Sequence, residues 1–200
     1  ERIGKRVALT FDDGPDPDWT PRIADTLTRL GVPATFFAVG EHVVDDPGVI
    51  ADLHRDGFEI GNHTFTHANL ASAGILRDLQ VSMTQSAISG AAGVRPRLVR
   101  PPYSATRDGG DREQERSYAD IAQQGYVIAL ANYDSEDWRS PGVAEIVRNA
   151  TPRSKHGGVI LMHDAGGDRS ETVAALERLV PELRPRGFKF VSLNDLLGAG

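Results

Sequence analysis

Residues 9–21 read LTFDDGPDPDWTP, and the adjacent Asp12 and Asp13 set two carboxylates at the end of an apolar run, directly before Gly14. A turn or a helix cap is served by one aspartate, and two neighbouring negative charges repel. With a divalent cation on one of them, the other stands free to act on a water molecule. Further along, His63 and His67 lie four apart in HTFTH. On a helical turn that spacing points both imidazoles the same way, and two neutral ring nitrogens so placed suit zinc. Zinc needs a third protein ligand, and a buried carboxylate needs a cation or hydrogen-bond donors to stay ionised, which makes Asp13 the natural third ligand. Plainer readings stand beside these: Asp-Gly-Pro is common loop punctuation, and a lone H-x-x-x-H pair is also found as two ordinary polar histidines.

Three more segments carry reactive residue types. In RPPY, Arg100 reads either as a surface charge or as a cation aimed at a carboxylate, because the rigid Pro101-Pro102 step fixes the backbone around it and can direct an N–H at a developing oxyanion. Asp137 and Trp138 in DSEDW read as a capped turn with a half-buried aromatic, or as part of a site. His163 follows the apolar run containing Leu161, and a single histidine on a strand is more often a satisfied core residue.

The elements that must position these residues alternate regularly. Runs rich in β-branched and aromatic residues at 6–11, 34–40, 58–64, 97–103, 126–133, 157–164 and 188–193 read as seven strands. Amphipathic patterns between them predict helices at 20–31, 47–56, 72–90, 114–124, 141–151 and 170–184. In the first, Thr20 is the expected N-cap, Pro21 takes the first helical position and Gly31 is the stop. In the last, Val173, Leu176, Leu179 and Val180 share one side. The polar segment 104–117 reads as a surface loop entering a helix. Apolar strands alternating with helices imply an α/β fold with a covered parallel sheet, wound open or closed into a barrel, and ligands gather at the carboxyl ends of such strands. FDDG, NHTFTH, RPPY, YDSEDW and LMHD all fall at expected strand ends.

Two hundred residues, 40% of them hydrophobic, support one substantial core, and one domain over 1–200 is expected. The formal net charge of −6 gives no reason to approach nucleic acid or an anionic membrane. No apolar run is long enough to span a bilayer and the first residues lack the apolar centre of a secretory signal, so a soluble chain is expected. With no cysteine, disulfides, thiolate metal sites and cysteine nucleophiles are excluded.

Taken together and in order, the five segments resemble the polysaccharide deacetylases with a NodB-homology domain, also called carbohydrate esterase family 4. The likeness runs from VALTFDDGP to KFVSLNDLL, nearly the whole chain. It implies a single-domain, distorted (β/α)7 barrel with the site at its carboxyl end. It implies Asp12 as general base, Asp13, His63 and His67 as ligands of Zn2+ (with Co2+ as a substitute), and Arg100 as the group that orients Asp12. By the same likeness the backbone N–H of Tyr103 helps bind the oxyanion, and Asp137 holds and tunes His163, the general acid. Trp138 and Leu161 wall the acetyl pocket. One departure is Ser104, where the family usually has glycine after the tyrosine.

The reaction implied is hydrolysis of N-acetyl groups on a β-1,4-linked N-acetylglucosamine polymer or oligomer of chitin, chitooligosaccharide or peptidoglycan type, releasing acetate; acetylxylan is the alternative substrate within the family. An extracellular or cell-wall setting follows from those substrates. Trp19 and Tyr133 lie near strand ends and are candidates for stacking on sugar rings, or for plain packing. A two-histidine, one-carboxylate iron(II) oxygenase has the same ligand types, but it accounts for neither Asp12 nor the Arg100 and His163 strand ends. An inactive carbohydrate-binding module would not need the complete set of acid, base and ligands.

Overall fold

The computed structural model describes residues 4–70, 75–103, 112–153 and 155–198. Its centre is β1 (Arg6–Asp12), six of whose seven residues are buried, as a parallel strand covered on both faces must be. Around it lie β2 (Ala34–Ala38), β3 (Glu59–Asn62), β4 (Leu98–Val99), β5 (Val127–Ile128), β6 (Tyr133–Asp134), β7 (Gly158–His163) and β8 (Lys189–Phe190). They form one sheet in the order β5-β4-β3-β2-β1-β7-β6, with β8 pairing the start of β1. Every registered pairing is parallel.

The helices are α1 (Trp19–Leu30), α2 (Gly40–Asp45), α3 (Pro47–Arg55), α4 (Ile75–Ala92), α5 (Arg112–Gln123), α6 (Val143–Ala150), α7 (Ser170–Leu183) and α8 (Leu193–Leu197). This is the expected distorted (β/α)7 barrel, a curled parallel sheet wrapped by helices. Among the described residues no helix is long and apolar enough to cross a membrane.

The strand expected at 126–133 is one segment with two loyalties. Val127 and Ala129 donate to Arg97 and Val99 on one side, whereas Asn132 and Ser135 donate to Val159 and Leu161 on the other. One stretch of chain therefore serves both edges of the sheet, and its hydrogen bonds divide it into β5 and β6. With these two taken as one segment, the eight strands make seven.

Alternation along β1 decides what faces where. Val7, Leu9 and Phe11 join a large apolar cluster with Ile23 and Leu27 of α1, Ile146 of α6 and Leu176, Leu179 and Val180 of α7. Ala8 points the opposite way, into a smaller cluster with Phe37, Leu98, Ala129 and Leu161 inside the barrel. Because successive strand side chains alternate, Thr10 and Asp12 share that inner side. Space there is tight: a Cβ on Gly61 would lie 2.4 Å from the Phe37 ring.

Several element ends differ from the sequence reading. The strands expected at 58–64, 97–103 and 188–193 are shorter, because pairing stops where the chain turns into the loops at the barrel mouth, or, after β8, into α8. Ser192 caps α8 by accepting a hydrogen bond from the Asp195 N–H. The short α2 was not anticipated. Thr20 is not the N-cap of α1, which begins at Trp19, because its hydroxyl is taken by Asp164 at 2.6 Å. Gly31 ends α1 as expected, at φ 61°, where glycine carries no steric penalty. Residues 104–111 of the expected loop, Ser104 among them, and 72–74 of the helix expected at 72–90 lie outside the described residues; from Arg112 to Gln123 the chain is helical.

Candidate active site and metal centre

Asp12 ends β1 inside the barrel, only 2% exposed. A buried carboxylate at this place needs a cation, and the guanidinium of the fully buried Arg100 supplies one, its Nη1 2.8 Å from Asp12 Oδ1. The same Nη1 donates to Thr10 Oγ1 at 2.7 Å, Nε donates to the Ala129 carbonyl at 3.2 Å, and the guanidinium lies 4.2 Å from the centre of the Phe37 ring. Arg100 is thus a fixed inner post of the barrel, with one carboxylate oxygen of Asp12 bound to it.

Asp13 takes the left-handed backbone region at φ 81°, which turns its side chain out of the strand direction that Asp12 follows. Its Oδ1 lies 3.4 Å from His63 Nε2 and 3.1 Å from His67 Nε2, and one ligand atom from each of the three residues falls within 4.8 Å of the others. Each imidazole is held from behind. His63 Nδ1 bonds the Arg100 carbonyl at 2.8 Å and His67 Nδ1 bonds the Tyr103 hydroxyl at 3.0 Å, leaving both Nε2 atoms aimed at Asp13. Burial by itself would raise the Asp13 pKa; the hydrogen bonds of the two imidazoles, with the charges of His63 and His163, outweigh it and hold the carboxyl well below the usual carboxylate range. Two histidine nitrogens and an ionised carboxylate converging on one point, each imidazole oriented by a partner on its far nitrogen, fit a three-ligand metal site with an open position.

The helical turn expected for HTFTH is absent. Both histidines lie in the loop after β3, and positive φ values at Thr64 (68°) and His67 (54°) bring the second imidazole back beside the first. α4 and Asn62 hold this loop in shape. Gln80 Oε1 accepts from the N–H groups of Phe65 and Thr66 at 2.8 and 2.9 Å, Asn62 Oδ1 accepts from the Thr64 N–H at 3.0 Å, and Asn62 Nδ2 donates to the Val81 carbonyl at 2.8 Å. The spacing mattered, but through a clamped loop.

On the opposite wall His163 ends β7. Its Nδ1 lies 2.7 Å from Asp137 Oδ1, and its own N–H donates to Asp137 Oδ2 at 2.9 Å. Thr172 Oγ1 donates to that second oxygen at 2.7 Å, and Arg169 Nη1 donates to the Asp137 carbonyl at 3.3 Å. Burial acts to lower the His163 pKa, yet the hydrogen bond and negative charge of Asp137 outweigh it and push the imidazole up to about 9. Asp137, whose burial opposes ionisation, is nevertheless held below the usual range by His163 and Thr172.

A cavity of about 450 Å³ joins the two walls, lined by Asp12, Asp13, His63, His67, Pro101, Tyr103, Asp134, Trp138, Leu161 and His163. Arg100 and Asp137 stand directly behind it, so the ten residues that the five motifs supply come together. Trp138 is half exposed at the rim, Leu161 is buried in the floor, and Tyr103 is 75% exposed with φ 60°. Trp19 and Tyr133 do not line this cavity: Arg22 covers the Trp19 ring at 4.9 Å, and Tyr133 packs on the large core cluster.

The structure also adds residues that the sequence did not single out. Asp134 borders the cavity, and burial raises its pKa. Asp164 is fully enclosed and pushed up to about 7, chiefly by burial. Its carboxylate accepts from the Gly14 N–H at 3.2 Å and from Thr20 Oγ1 at 2.6 Å, while its own N–H donates to the Asp12 carbonyl at 3.0 Å. It braces the turn that carries Asp12 and Asp13. The one signal in the sequence was its place beside His163 in LMHD; for Thr172 and Arg169 there was none, because their roles depend on how α7 docks.

Residues 1–126 match the family model described as Polysaccharide deacetylase. The chain is 37% identical over 196 residues to a peptidoglycan-N-acetylglucosamine deacetylase of Bacillus cereus, with 96% of this chain and 88% of that protein covered. It is 34% identical over 206 residues to a chitooligosaccharide deacetylase of a Bradyrhizobium species, covering 96% of this chain and 90% of the relative. Among solved structures, the Bc1960 peptidoglycan N-acetylglucosamine deacetylase in complex with 4-naphthalen-1-yl-N-oxidanyl-benzamide superposes with a TM-score of 0.87 at 33% identity, covering 98% of this chain and 89% of that one. With five motifs in order, a barrel of the matching topology and these likenesses over nearly its whole length, the chain belongs to the polysaccharide deacetylase family of carbohydrate deacetylases.

Proposed function

We propose that residues 1–200 form one catalytic domain that removes the N-acetyl group from N-acetylglucosamine units of a β-1,4-linked polymer or oligomer, in a reaction that depends on zinc. The observation that carries this reading is the shared cavity in which the Asp13, His63 and His67 cluster lies between two acid–base groups with unlike partners, Asp12 on Arg100 and His163 on Asp137. Amide hydrolysis needs both: one group must take a proton from water and another must give a proton to a nitrogen that otherwise leaves poorly.

Asp13, His63 and His67 would hold the ion through Oδ1 and the two Nε2 atoms. Zinc bound there supplies Lewis acidity to the acetyl carbonyl and to the attacking water, and cobalt can substitute. Asp12, ion-paired with Arg100, takes a proton from the water as the water oxygen attacks the acetyl carbon. The Tyr103 N–H, presented by the left-handed turn after Pro101-Pro102, donates to the oxygen that becomes negative; a single donor of this kind contributes about 2.7–4 kcal/mol in other hydrolases. His163, protonated because Asp137 is charged, gives its proton to the amide nitrogen as the carbon–nitrogen bond breaks. Acetate and a free sugar amine result. Leu161 and Trp138 bound the space for the acetyl methyl, an apolar group that gains from leaving water.

N-Acetylglucosamine substrates are favoured by the likeness to the Bacillus and Bradyrhizobium proteins, and an extracellular or cell-wall setting follows from such substrates. The test is acetate release from chitooligosaccharides, peptidoglycan and acetylxylan in parallel, with chelator and then with added zinc or cobalt, alongside oxygen uptake with added iron(II). Release from the first two that stops with chelator and returns with zinc is the expected result. Release only from acetylxylan would move the substrate assignment, and oxygen uptake without acetate would replace the reaction class.

A further inference from the structure

The two imidazoles of the metal cluster are held from behind by unlike partners. His63 Nδ1 meets the main-chain carbonyl of Arg100, a residue buried at 0% exposure, so this bond belongs to the barrel framework. His67 Nδ1 meets the side-chain hydroxyl of Tyr103 at 3.0 Å, and Tyr103 is 75% exposed. The Tyr103 ring also stands edge-on to the His67 ring with centroids 4.7 Å apart. His67 Nε2 faces Asp13 Oδ1 at 3.1 Å; with that nitrogen's lone pair given to a metal ion, the one proton of the neutral ring would lie on Nδ1, where the phenol oxygen accepts it.

We propose that the Tyr103 hydroxyl is a positioning residue for the metal centre: it selects the His67 tautomer and ring orientation that present Nε2 to the ion, and so sets how tightly the ion is held. This rests on the zinc reading above and goes beyond it, since there Tyr103 acts only through its backbone N–H. His67 is the imidazole that a surface side chain can release. His63 is not.

The test is Tyr103→Phe, which keeps the ring packed on His67 and deletes only the hydroxyl. Zinc affinity of wild type and variant is measured by competition with a chromophoric chelator, and the visible spectrum of each cobalt-loaded protein is recorded. Loss of a partner behind a metal-bound histidine weakens affinity about 10- to 100-fold. That loss is expected here, with an altered cobalt spectrum and an unchanged melting temperature of the metal-free protein. If the wild type binds zinc and the variant binds it equally tightly with the same cobalt spectrum, the positioning role is wrong and the zinc reading stands. If the wild type binds no divalent ion, both fall.

Discussion

Replacing Asp137 with asparagine removes the charge that keeps His163 protonated while preserving the shape of the side chain. His163 is pushed up to about 9 because Asp137 outweighs a burial effect of opposite sign. Without the carboxylate, burial is the largest single influence left, opposed by the charges of Asp12 and Asp13, and the imidazole falls toward its ordinary value of about 6.5. A divalent ion on Asp13 cancels the help His163 draws from that carboxylate, but not the help it draws from Asp137. At about pH 8 a group with the higher value is roughly nine-tenths protonated and one with the lower value is about 3% protonated. Protonation alone then lowers kcat/KM up to ~30-fold, about 2 kcal/mol in the barrier. At about pH 5.5 both forms are mostly protonated, and the deficit shrinks to within about 2-fold. The assay is acetate release from a chitooligosaccharide across this range, read as the ratio of variant to wild type so that pH effects common to both cancel. A deficit equal at both ends of the range would refute the reasoning, since Asp137 would then orient His163 without tuning it. Stability carries the same signature. His163 has a folded value raised above its unfolded one, so its contribution is fully present below about pH 6.5 and is lost as pH rises through about 9, an upper limit of ~3.4 kcal/mol. The melting temperature of the wild type should fall over that window, and the variant should lack this slope.

Asp12→Asn should abolish acetate release while leaving one equivalent of zinc bound, because the ligands are Asp13, His63 and His67; metal analysis that finds the ion gone would exchange the roles of the two aspartates. The same change leaves the buried Arg100 charge without its counter-ion, and breaking such a pair costs about 3–5 kcal/mol at most when no acceptor remains, so urea unfolding should show a smaller but clear loss with asparagine in place. Gly14→Ala puts a Cβ 2.1 Å from Asp164 Oδ2, inside the brace that shapes the turn after β1. Overpacking of this kind costs about 1–3 kcal/mol, and the displaced turn should lower kcat/KM more than stability alone accounts for; a variant with wild-type kinetics would show that Asp164 does not position Asp12 and Asp13.

The alternation of apolar strands with amphipathic helices was legible along the chain, because side-chain periodicity is a short-range property that each segment carries by itself. So was the gathering of reactive residue types at the strand ends, since a doubled aspartate and paired histidines are unusual where a turn alone would serve. What lay beyond reach were arrangements made by residues distant in sequence. Arg100 meets Asp12 across 88 positions and Asp164 meets the Gly14 N–H across 150, and no local pattern announces either contact. The His63 and His67 spacing invited a helix, yet the hydrogen bonds from Gln80 and Asn62 hold a loop with two left-handed residues in its place. The segment 126–133 looked like an ordinary strand and instead divides its hydrogen bonds between the two edges of the curled sheet. Residue types and their order therefore determined which reactions this chain is equipped for. Only the closed packing of the barrel decided which carboxylate faces inward to Arg100, which turns outward to the histidines, and which residues behind them hold each in place, because those outcomes depend on contacts that exist only once the distant segments have met.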